Sequence, residues 1–197
     1  MSFFSALKRF ISAYKKDKKT DAKRSNSTSG YTVTIRDDDD DGLSYYREKL
    51  QYAIERGDQR DILFYQGKLD PEFRITDEQY WHAQSVIHEM QIDQTVRKED
   101  FEKACQDQML RAYAFKPGYE KYYSQPLYAE VFKIYAIFLE REGRYVDAAT
   151  VCARALRWGF PNDRTQGGMK GRLMRLVKKA GGEVNEEIED ALKKYCQ

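Results

Sequence analysis

Apolar residues recur at every third or fourth position along most of the chain from residue 43 onwards, which is the spacing of helices that bury one face. The first two predicted helices cover about 43–57 and about 58–69. Gly57 supplies a stop for the first helix, and Pro71 follows the end of the second. We expect these helices to form an antiparallel hairpin, because the turn between them is short.

Two longer helices are predicted next along the chain. The first begins at Thr76 or Asp77, since either side chain can cap the backbone amides at a helix N-terminus. The second covers about 98–115 and ends at the Lys-Pro-Gly sequence of residues 116–118, because proline removes a backbone donor and glycine disfavours a helix. A connector follows, and it holds Tyr119, Tyr122 and Tyr123.

The most regular pattern is a helix, a tight turn and a second helix between residues 127 and 161. Gly143 ends the first of these helices and allows the turn. Small residues lie on the facing sides of both helices, which lets the two backbones approach closely. These small residues are Ala136, Ala148 and Ala155.

Two more helices are predicted near the C-terminus. Asn162 or Asp163 opens the first, and residues 181–182, both glycine, end it. Asn185 then caps the last helix. The chain from 43 to 197 is therefore predicted to be one all-α domain.

Several residues of the hairpin between 129 and 161 follow a further pattern. The first helix has a large residue and a large-small pair, the turn is Gly-x-Tyr, and the second helix has small residues before a closing proline. The matching residues are Phe132, Tyr135, Ala136, Leu139, Gly143, Arg144, Tyr145, Ala148, Cys152, Ala155 and Pro161. This pattern resembles one tetratricopeptide repeat.

The resemblance implies both an architecture and a binding surface. In the family, antiparallel helical hairpins stack in a right-handed array, and flanking helices cover the apolar face that one hairpin leaves bare. The outward face of the first helix of each hairpin lines a concave surface that receives a peptide or a partner helix. In this chain that face holds Glu130, Lys133, Ile137, Glu140 and Arg141.

Residues 1–17 have the pattern of a basic amphipathic helix. Its apolar stripe consists of Phe3, Phe4, Leu7, Phe10 and Ile11. We expect this stripe to dock on a partner protein, on the body of the protein itself or, weakly and peripherally, on a membrane surface. Residues 18–42 are predicted to form a flexible linker that ends in an acidic run.

Composition narrows the classes of function. Positive and negative side chains are nearly balanced, with 34 Lys and Arg against 32 Asp and Glu. The overall electrostatic field of the protein therefore does not favour the binding of nucleic acid. The three cysteines lie far apart and form no disulfide or metal-binding pattern. The start of the chain lacks the pattern of a signal peptide, and no apolar stretch approaches the length of a membrane span. We therefore expect a cytoplasmic protein.

Two ligand sites can be tested against the sequence. Residues 37–42 and Glu48 satisfy the spacing of an EF-hand loop, but an extended segment is predicted where that site needs a helix, so an acidic cap for the following helix is favoured. A basic helix N-terminus can hold phosphate, and the candidate contacts are Lys170, Arg172 and Arg175. A solvated outer helix face is the competing interpretation of those three residues.

No set of residues predicts catalysis. His82 and His88 point to separate sides of one predicted helix, and no cysteine has a base beside it in the pattern. We therefore predict a protein-interaction module, an adaptor or scaffold that works without catalysis, cofactor or metal. The alternative is a nucleic-acid-associated protein that uses the basic helix 168–180 and the basic N-terminus.

Overall fold

The computed structural model describes residues 42–196, and this part of the chain is all-α. Eight helices follow one another in it. They are α1 (Ser44–Arg56), α2 (Gln59–Leu69), α3 (Pro71–Ile92), α4 (Lys98–Tyr123), α5 (Val131–Arg141), α6 (Tyr145–Arg157), α7 (Gly168–Lys179) and α8 (Glu186–Tyr195). The predicted all-α class is confirmed for these residues. The predicted helix 1–17 and the linker as far as residue 41 lie outside them.

Helices α1 and α2 form the predicted hairpin around Gly57. Gly57 has a φ of 69°, which glycine adopts without steric cost, and its N–H donates to the carbonyl groups of Ala53 and Ile54. The Asp58 carboxylate then accepts hydrogen bonds from the first backbone amides of α2. The two helices pack against each other, as the sequence predicts.

Helix α3 begins at Pro71, so the predicted start at Thr76 or Asp77 is wrong. The cap is Asp70, whose carboxylate accepts from two backbone amides in the first turn at 3.0 and 3.1 Å. Pro71 suits the first helical position, because an N–H there has no partner within the helix. The Asp-Pro sequence therefore opens a helix at the point where it also ends α2.

Helix α4 continues through Pro117 to Tyr123, so the predicted break at 116–118 and the tyrosine connector after it are wrong. A proline inside a helix removes one backbone hydrogen bond and crowds the preceding turn, at a cost of about 3 kcal/mol or more. Contacts made by the turn after the proline offset that cost. Those contacts come from α2 and α3.

Phe73 on α3 is the centre of these contacts. Its ring lies against Gly118, where an added Cβ would come within 2.9 Å of the ring. It also contacts the ring of Tyr122, with centroids 4.7 Å apart. The Tyr122 hydroxyl in turn donates to the Asp70 carboxylate at 2.5 Å. Tertiary packing therefore overrides the local preference of the Lys-Pro-Gly sequence.

Helices α5 and α6 form the hairpin that the sequence predicts most sharply. Gly143 lies in the turn with a φ of 74°. The small residues Ala136, Ala148 and Ala155 are each 0% exposed. Their size lets the two helices approach closely over this interface.

Replacing Ala148 with Leu tests this interface. The extra carbons have no space between α5 and α6, so we expect the free energy of unfolding to fall by about 1–3 kcal/mol. Urea denaturation measures the change. The matched control is Ala114→Leu on an exposed position of α4, where we expect a change within about 0.5 kcal/mol. Equal losses of stability at the two positions would contradict the close packing described for the α5–α6 hairpin.

Helices α7 and α8 both pack against α6. Helix α7 begins at Gly168, so the predicted start at Asn162 or Asp163 is wrong. The predicted cap of α8 is confirmed, because the Asn185 side chain accepts from the backbone N–H of Ile188 at 3.0 Å. Within residues 42–196 no helix is both long and apolar enough to cross a membrane.

One continuous core runs from α3 to α8. Helix α4 joins its parts, since it packs against α2, α3 and α5. The largest fully buried side chains include Tyr80, Met109, Phe132, Leu139, Leu173 and Ile188. This core fixes the middle of α3 and the start of α5 relative to the loop before α7, and the candidate site lies where those segments meet.

Candidate functional site

A cavity of about 360 Å³ lies between α3, the end of α4, the segment 124–130 before α5, and the loop before α7. Its lining residues are Tyr80, Trp81, Gln84, Tyr119, Gln125, Pro126, Leu127, Tyr128, Glu130 and Arg164. The walls thus combine aromatic rings with one carboxylate and one guanidinium group. A volume of this size suits an amino-acid side chain or a small organic molecule.

Helix α3 supplies the aromatic floor and one rim of the cavity. Tyr80 is buried and its ring stacks on Phe115, with centroids 4.8 Å apart. Trp81 is the next residue, so its side chain points about 100° further round the helix. It is 46% exposed, and its indole N–H donates to the Asp77 carboxylate at 2.9 Å. The hydrogen bond orients the indole at the rim.

Two polar atoms at the cavity residues have no hydrogen-bond partner within the described part of the chain. One is Oε1 of Gln84, a side chain that is only 7% exposed, and the other is the hydroxyl of Tyr128. The amide nitrogen of Gln84 is engaged, since it lies 3.1 Å from Nε2 of His88. A buried polar atom without a partner costs about 1–3 kcal/mol.

Glu130 gives the cavity a negative charge. Its carboxylate lies 3.5 Å from Nε2 of His88. Burial raises the pKa of the Tyr128 hydroxyl, and the charge of Glu130 raises it further, whereas Arg164 acts in the opposite direction and more weakly. Burial also raises the pKa of Tyr80, and Glu130 adds to that shift. The charge of Glu130 therefore acts more strongly than that of Arg164 on the Tyr128 hydroxyl.

Arg164 reaches the cavity from a loop with an unusual backbone. Its φ is 58°, a left-handed conformation that costs a non-glycine residue about 1–2 kcal/mol. Its backbone N–H donates to the Asn162 side chain at 2.8 Å, and its guanidinium carbon lies 4.1 Å from the centre of the Tyr128 ring. Such strain persists only where the surroundings impose it, and it is common at functional sites.

A buried ion pair holds this loop in place. Asp163 is 0% exposed, and its carboxylate accepts from Nε of Arg172 on α7 at 2.9 Å. The same carboxylate accepts from the backbone N–H of Thr165 at 2.9 Å and from the Thr165 hydroxyl. The bond from Arg172 ties the loop to α7, and the bonds from Thr165 close the loop around Arg164. The position of Arg164 is therefore fixed by the fold and not by its own exposed side chain.

The loop closes at Gly168. This residue has a φ of 55°, and an added Cβ would lie 2.5 Å from the carbonyl oxygen of Pro161. The same carbonyl accepts the N–H of Met169 at 2.9 Å. No residue with a side chain fits here without displacing the backbone, so the return of the loop to α7 depends on glycine.

Known proteins give no direct guide to this site. A comparison with protein-family models, curated proteins and solved structures finds no match for the chain. Within residues 42–196 no three His, Cys, Asp or Glu side chains are grouped so that they could hold a metal ion. What the site does has to be inferred from its own residues.

The structure brings one of the predicted partner-contact residues into the cavity, namely Glu130. Lys133 and Ile137 follow it along α5 and are half-buried, and Arg141 is exposed. Glu140 is engaged elsewhere, because its carboxylate accepts from Lys179 at 2.6 Å. Of these five residues, Glu130 lines the cavity and the other four do not.

The three candidate phosphate contacts do not form one exposed group. Arg172 is 5% exposed and is paired with Asp163, so its charge is neutralised inside the fold. Lys170 is half-buried and Arg175 is exposed. The five apolar residues predicted to dock the N-terminal helix lie outside the described residues.

Sequence patterns missed Gln84, Tyr128 and Arg164. These residues belong to three segments far apart in the chain, and no spacing rule relates them. The one local signal is the Asn-Asp pair before Arg164, because such residues favour a turn with side-chain caps. The sequence predicts that this pair starts a helix, whereas in the structure it lies in the loop that supports Arg164.

Proposed function

We propose that the protein is an interaction module, an adaptor or scaffold, that binds a segment of a partner protein in this cavity and along α5. The observation that carries the proposal is the cavity itself, which is lined by aromatic side chains and has the half-exposed Trp81 at its rim. Aromatic side chains at pockets are typical of the residues that dominate the binding energy at interfaces.

The strip along α5 supports an extended ligand over a small molecule. Glu130, Lys133, Ile137 and Arg141 follow one another at three- or four-residue spacing and therefore share one side of the helix. Helix α5 has 11 residues and so is about 16 Å long. An extended chain rises about 3.3 Å per residue, so a peptide of about five residues would cover the strip.

The packing of the helices supports an arrangement like that of tetratricopeptide repeats. Helices α3 and α4 pack together, as do α5 and α6, and the contact between α4 and α5 joins the two hairpins. Helices α7 and α8 pack against α6 and so cover the second hairpin. The cavity takes residues from α3, from the end of α4, from the segment before α5 and from the loop before α7. In such an array these segments would border the concave surface.

Selection of peptides tests the proposed function. We expect a random-peptide phage library, panned on the full-length protein, to yield peptides that bind in solution. Trp81→Ala should weaken them by about tenfold or more, because it removes the aromatic anchor at the rim. The control is Tyr52→Ala, which removes an exposed aromatic ring on α1 and should leave affinity unchanged.

Two results would contradict the proposal. One is a library that yields no binding peptide, or peptides equally sensitive to both substitutions. The other is retention of nucleic acid in a mobility assay at physiological salt, with loss on Arg175→Glu, which would favour the nucleic-acid alternative.

A further inference from the structure

We infer that α1 is a docking surface for a second copy of this chain, and that the two α1 helices pair antiparallel about a twofold axis. The inference goes beyond the proposed function, because it concerns a different surface and a different partner. Two features of α1 carry it. One is a stripe of aromatic rings and cations on its surface, and the other is the order of those groups, which is complementary to itself.

The stripe consists of Tyr45, Lys49, Tyr52 and Arg56. At 100° per residue, their side chains fall within about 60° of one another around the helix. The side chains of Tyr45 and Tyr52 are 56% and 55% exposed. Nζ of Lys49 lies 5.4 Å from the centre of the Tyr45 ring. The guanidinium carbon of Arg56 lies 5.3 Å from the centre of the Tyr52 ring, so each ring of the stripe already attracts a cation.

Helix α1 lies outside the continuous core. Within residues 42–196 that core begins on α3 and takes no residue from α1. The side of α1 that packs against α2 holds Ala53, which is 2% exposed, and the stripe lies on a neighbouring side. Tyrosine and arginine are enriched at protein interfaces relative to the rest of the surface. The composition of the stripe therefore fits a contact surface.

The order of the stripe identifies a second copy as the partner. Its four side chains are separated by four, three and four positions, a spacing that is the same when the helix is turned end for end. Reversal changes the order ring, cation, ring, cation into cation, ring, cation, ring. In an antiparallel pair, Tyr45 therefore lies opposite Arg56 of the second copy, and Tyr52 lies opposite Lys49 of the second copy. The twofold axis repeats both contacts, so each ring meets a cation and no cation meets a cation.

The contacts between copies add to those within each copy. Lys49 lies between its own Tyr45 and Tyr52 of the second copy. Arg56 keeps its charge for the contact, because the Asp58 carboxylate is 3.8 Å from its Nη2, which is too far for a strong hydrogen bond. Helix α1 has 13 residues, so the paired surface is about 20 Å long and one helix wide, less than a stable dimer buries. We therefore expect a weak and reversible dimer.

Sedimentation equilibrium of the full-length protein tests for this dimer. Between about 10 μM and about 1 mM, we expect the average mass to rise from that of one chain towards that of two. Tyr52→Ala removes two contacts, because the axis repeats each of them, and should raise the dissociation constant about tenfold. The control is Ile54→Ala, which removes a 50% exposed side chain from the opposite side of α1 and should leave the constant unchanged. The mass of one chain throughout, or equal effects of the two substitutions, would overturn the inference.

Substitutions of Lys49 separate contacts between cations and rings from apolar contacts in general. Lys49→Arg keeps the charge and should preserve the dimer. Lys49→Met keeps an apolar stem without the charge and should raise the dissociation constant about tenfold. A dimer that is as strong with Lys49→Met as with Lys49→Arg would show that the cations do not hold the copies together, against the inference.

Disulfide formation tests the antiparallel register. Positions 45 and 56 of the two copies lie side by side in the proposed pair, whereas the two positions 45 are about 16 Å apart along the helices. A mixture of Tyr45→Cys and Arg56→Cys proteins, both with Cys196→Ser, should therefore form linked pairs faster than either protein alone. The remaining cysteines, Cys105 and Cys152, are buried. Equal rates in the mixture and in the separate proteins would contradict the antiparallel pairing.

Other results would assign the stripe to a different partner or leave it independent of the cavity. Single-stranded nucleic acid can stack its bases on exposed rings. Retention of single-stranded DNA that is lost with Tyr52→Ala, in a protein that stays monomeric, would assign the stripe to nucleic acid and overturn the inference. Helix α1 contributes no residue to the cavity, so a dimer that forms while no peptide binds would support this inference and contradict the proposed function alone.

Discussion

Replacing Asp163 with Ala should lower the free energy of unfolding by about 3–5 kcal/mol. The substitution leaves the guanidinium group of Arg172 buried without the carboxylate that neutralises it, since Asp163 and Arg172 are 0% and 5% exposed. Within residues 42–196 the other carboxylate paired with that group is Glu140, at 3.8 Å, which is too far for a strong hydrogen bond. Urea denaturation at neutral pH measures the loss.

Two comparisons separate the buried pair from ion pairs in general. Lys179→Met removes an ion pair to Glu140 that is more exposed and should cost no more than about 1 kcal/mol. The double variant Asp163→Ala, Arg172→Met should be more stable than Asp163→Ala alone, because no unpaired charge remains inside. A single Asp163→Ala variant as stable as Lys179→Met would show that the pair does not hold the loop.

The same carboxylate predicts a dependence on pH. Burial favours the neutral form of Asp163, but hydrogen bonds from Thr165 and Arg172 outweigh burial and hold the pKa below its ordinary value of 3.8. A lowered pKa in the folded state contributes stability that is complete above about pH 4 and is lost as the pH falls through the folded value. The wild-type protein should therefore lose stability below about pH 4 more steeply than Asp163→Asn.

Replacing Phe73 with Ala should also cost about 3–5 kcal/mol. The ring is 6% exposed and contacts Tyr122 as well as Phe115, whose ring it stacks against at 5.5 Å. Because these contacts offset the cost of Pro117 inside α4, the turn after the proline should open first. Hydrogen exchange of residues 118–123 measures that opening.

The control for Phe73 lies on the same helix. Ile75 is exposed, and Ile75→Ala should cost less than about 1 kcal/mol without faster exchange in residues 118–123. If Phe73→Ala destabilises the protein but leaves hydrogen exchange in that turn unchanged, some other contact must stabilise the part of α4 that follows the proline. The result also bears on the cavity, since Tyr119 lies in the same turn.

Local signals in the sequence were enough to predict the helical class and several boundaries. Gly57, Gly143 and Asn185 act on their own backbone, so their roles can be inferred without knowing the fold. The alanines of the α5–α6 hairpin are equally informative, because only a close helix contact explains small residues at that spacing. The stacking order of the hairpins is a tertiary property and remains a proposal.

The wrong predictions share a physical cause. The sequence Lys-Pro-Gly has a strong local preference to end a helix, and it is the distant Phe73 that reverses it. In the sequence, Arg172 fits the pattern of a solvated basic helix face. In the structure its side chain is buried because it pairs with Asp163, which lies in the loop before α7. The cavity also depends on distant contacts, since its lining residues come from segments far apart in the chain. Residues that act through contacts with distant parts of the chain produce no periodic pattern in the sequence.

The central claim is that a partner peptide binds in the cavity, and NMR mapping of a bound peptide tests it most directly. A peptide selected on the full-length protein should cause its largest shifts at the Trp81 indole, the Gln84 side-chain amide and the backbone amides of Tyr128 and Glu130. Amides of α8, such as that of Lys193, should not move. Shifts confined to α7 and α8, with none at the cavity residues, would contradict the claim.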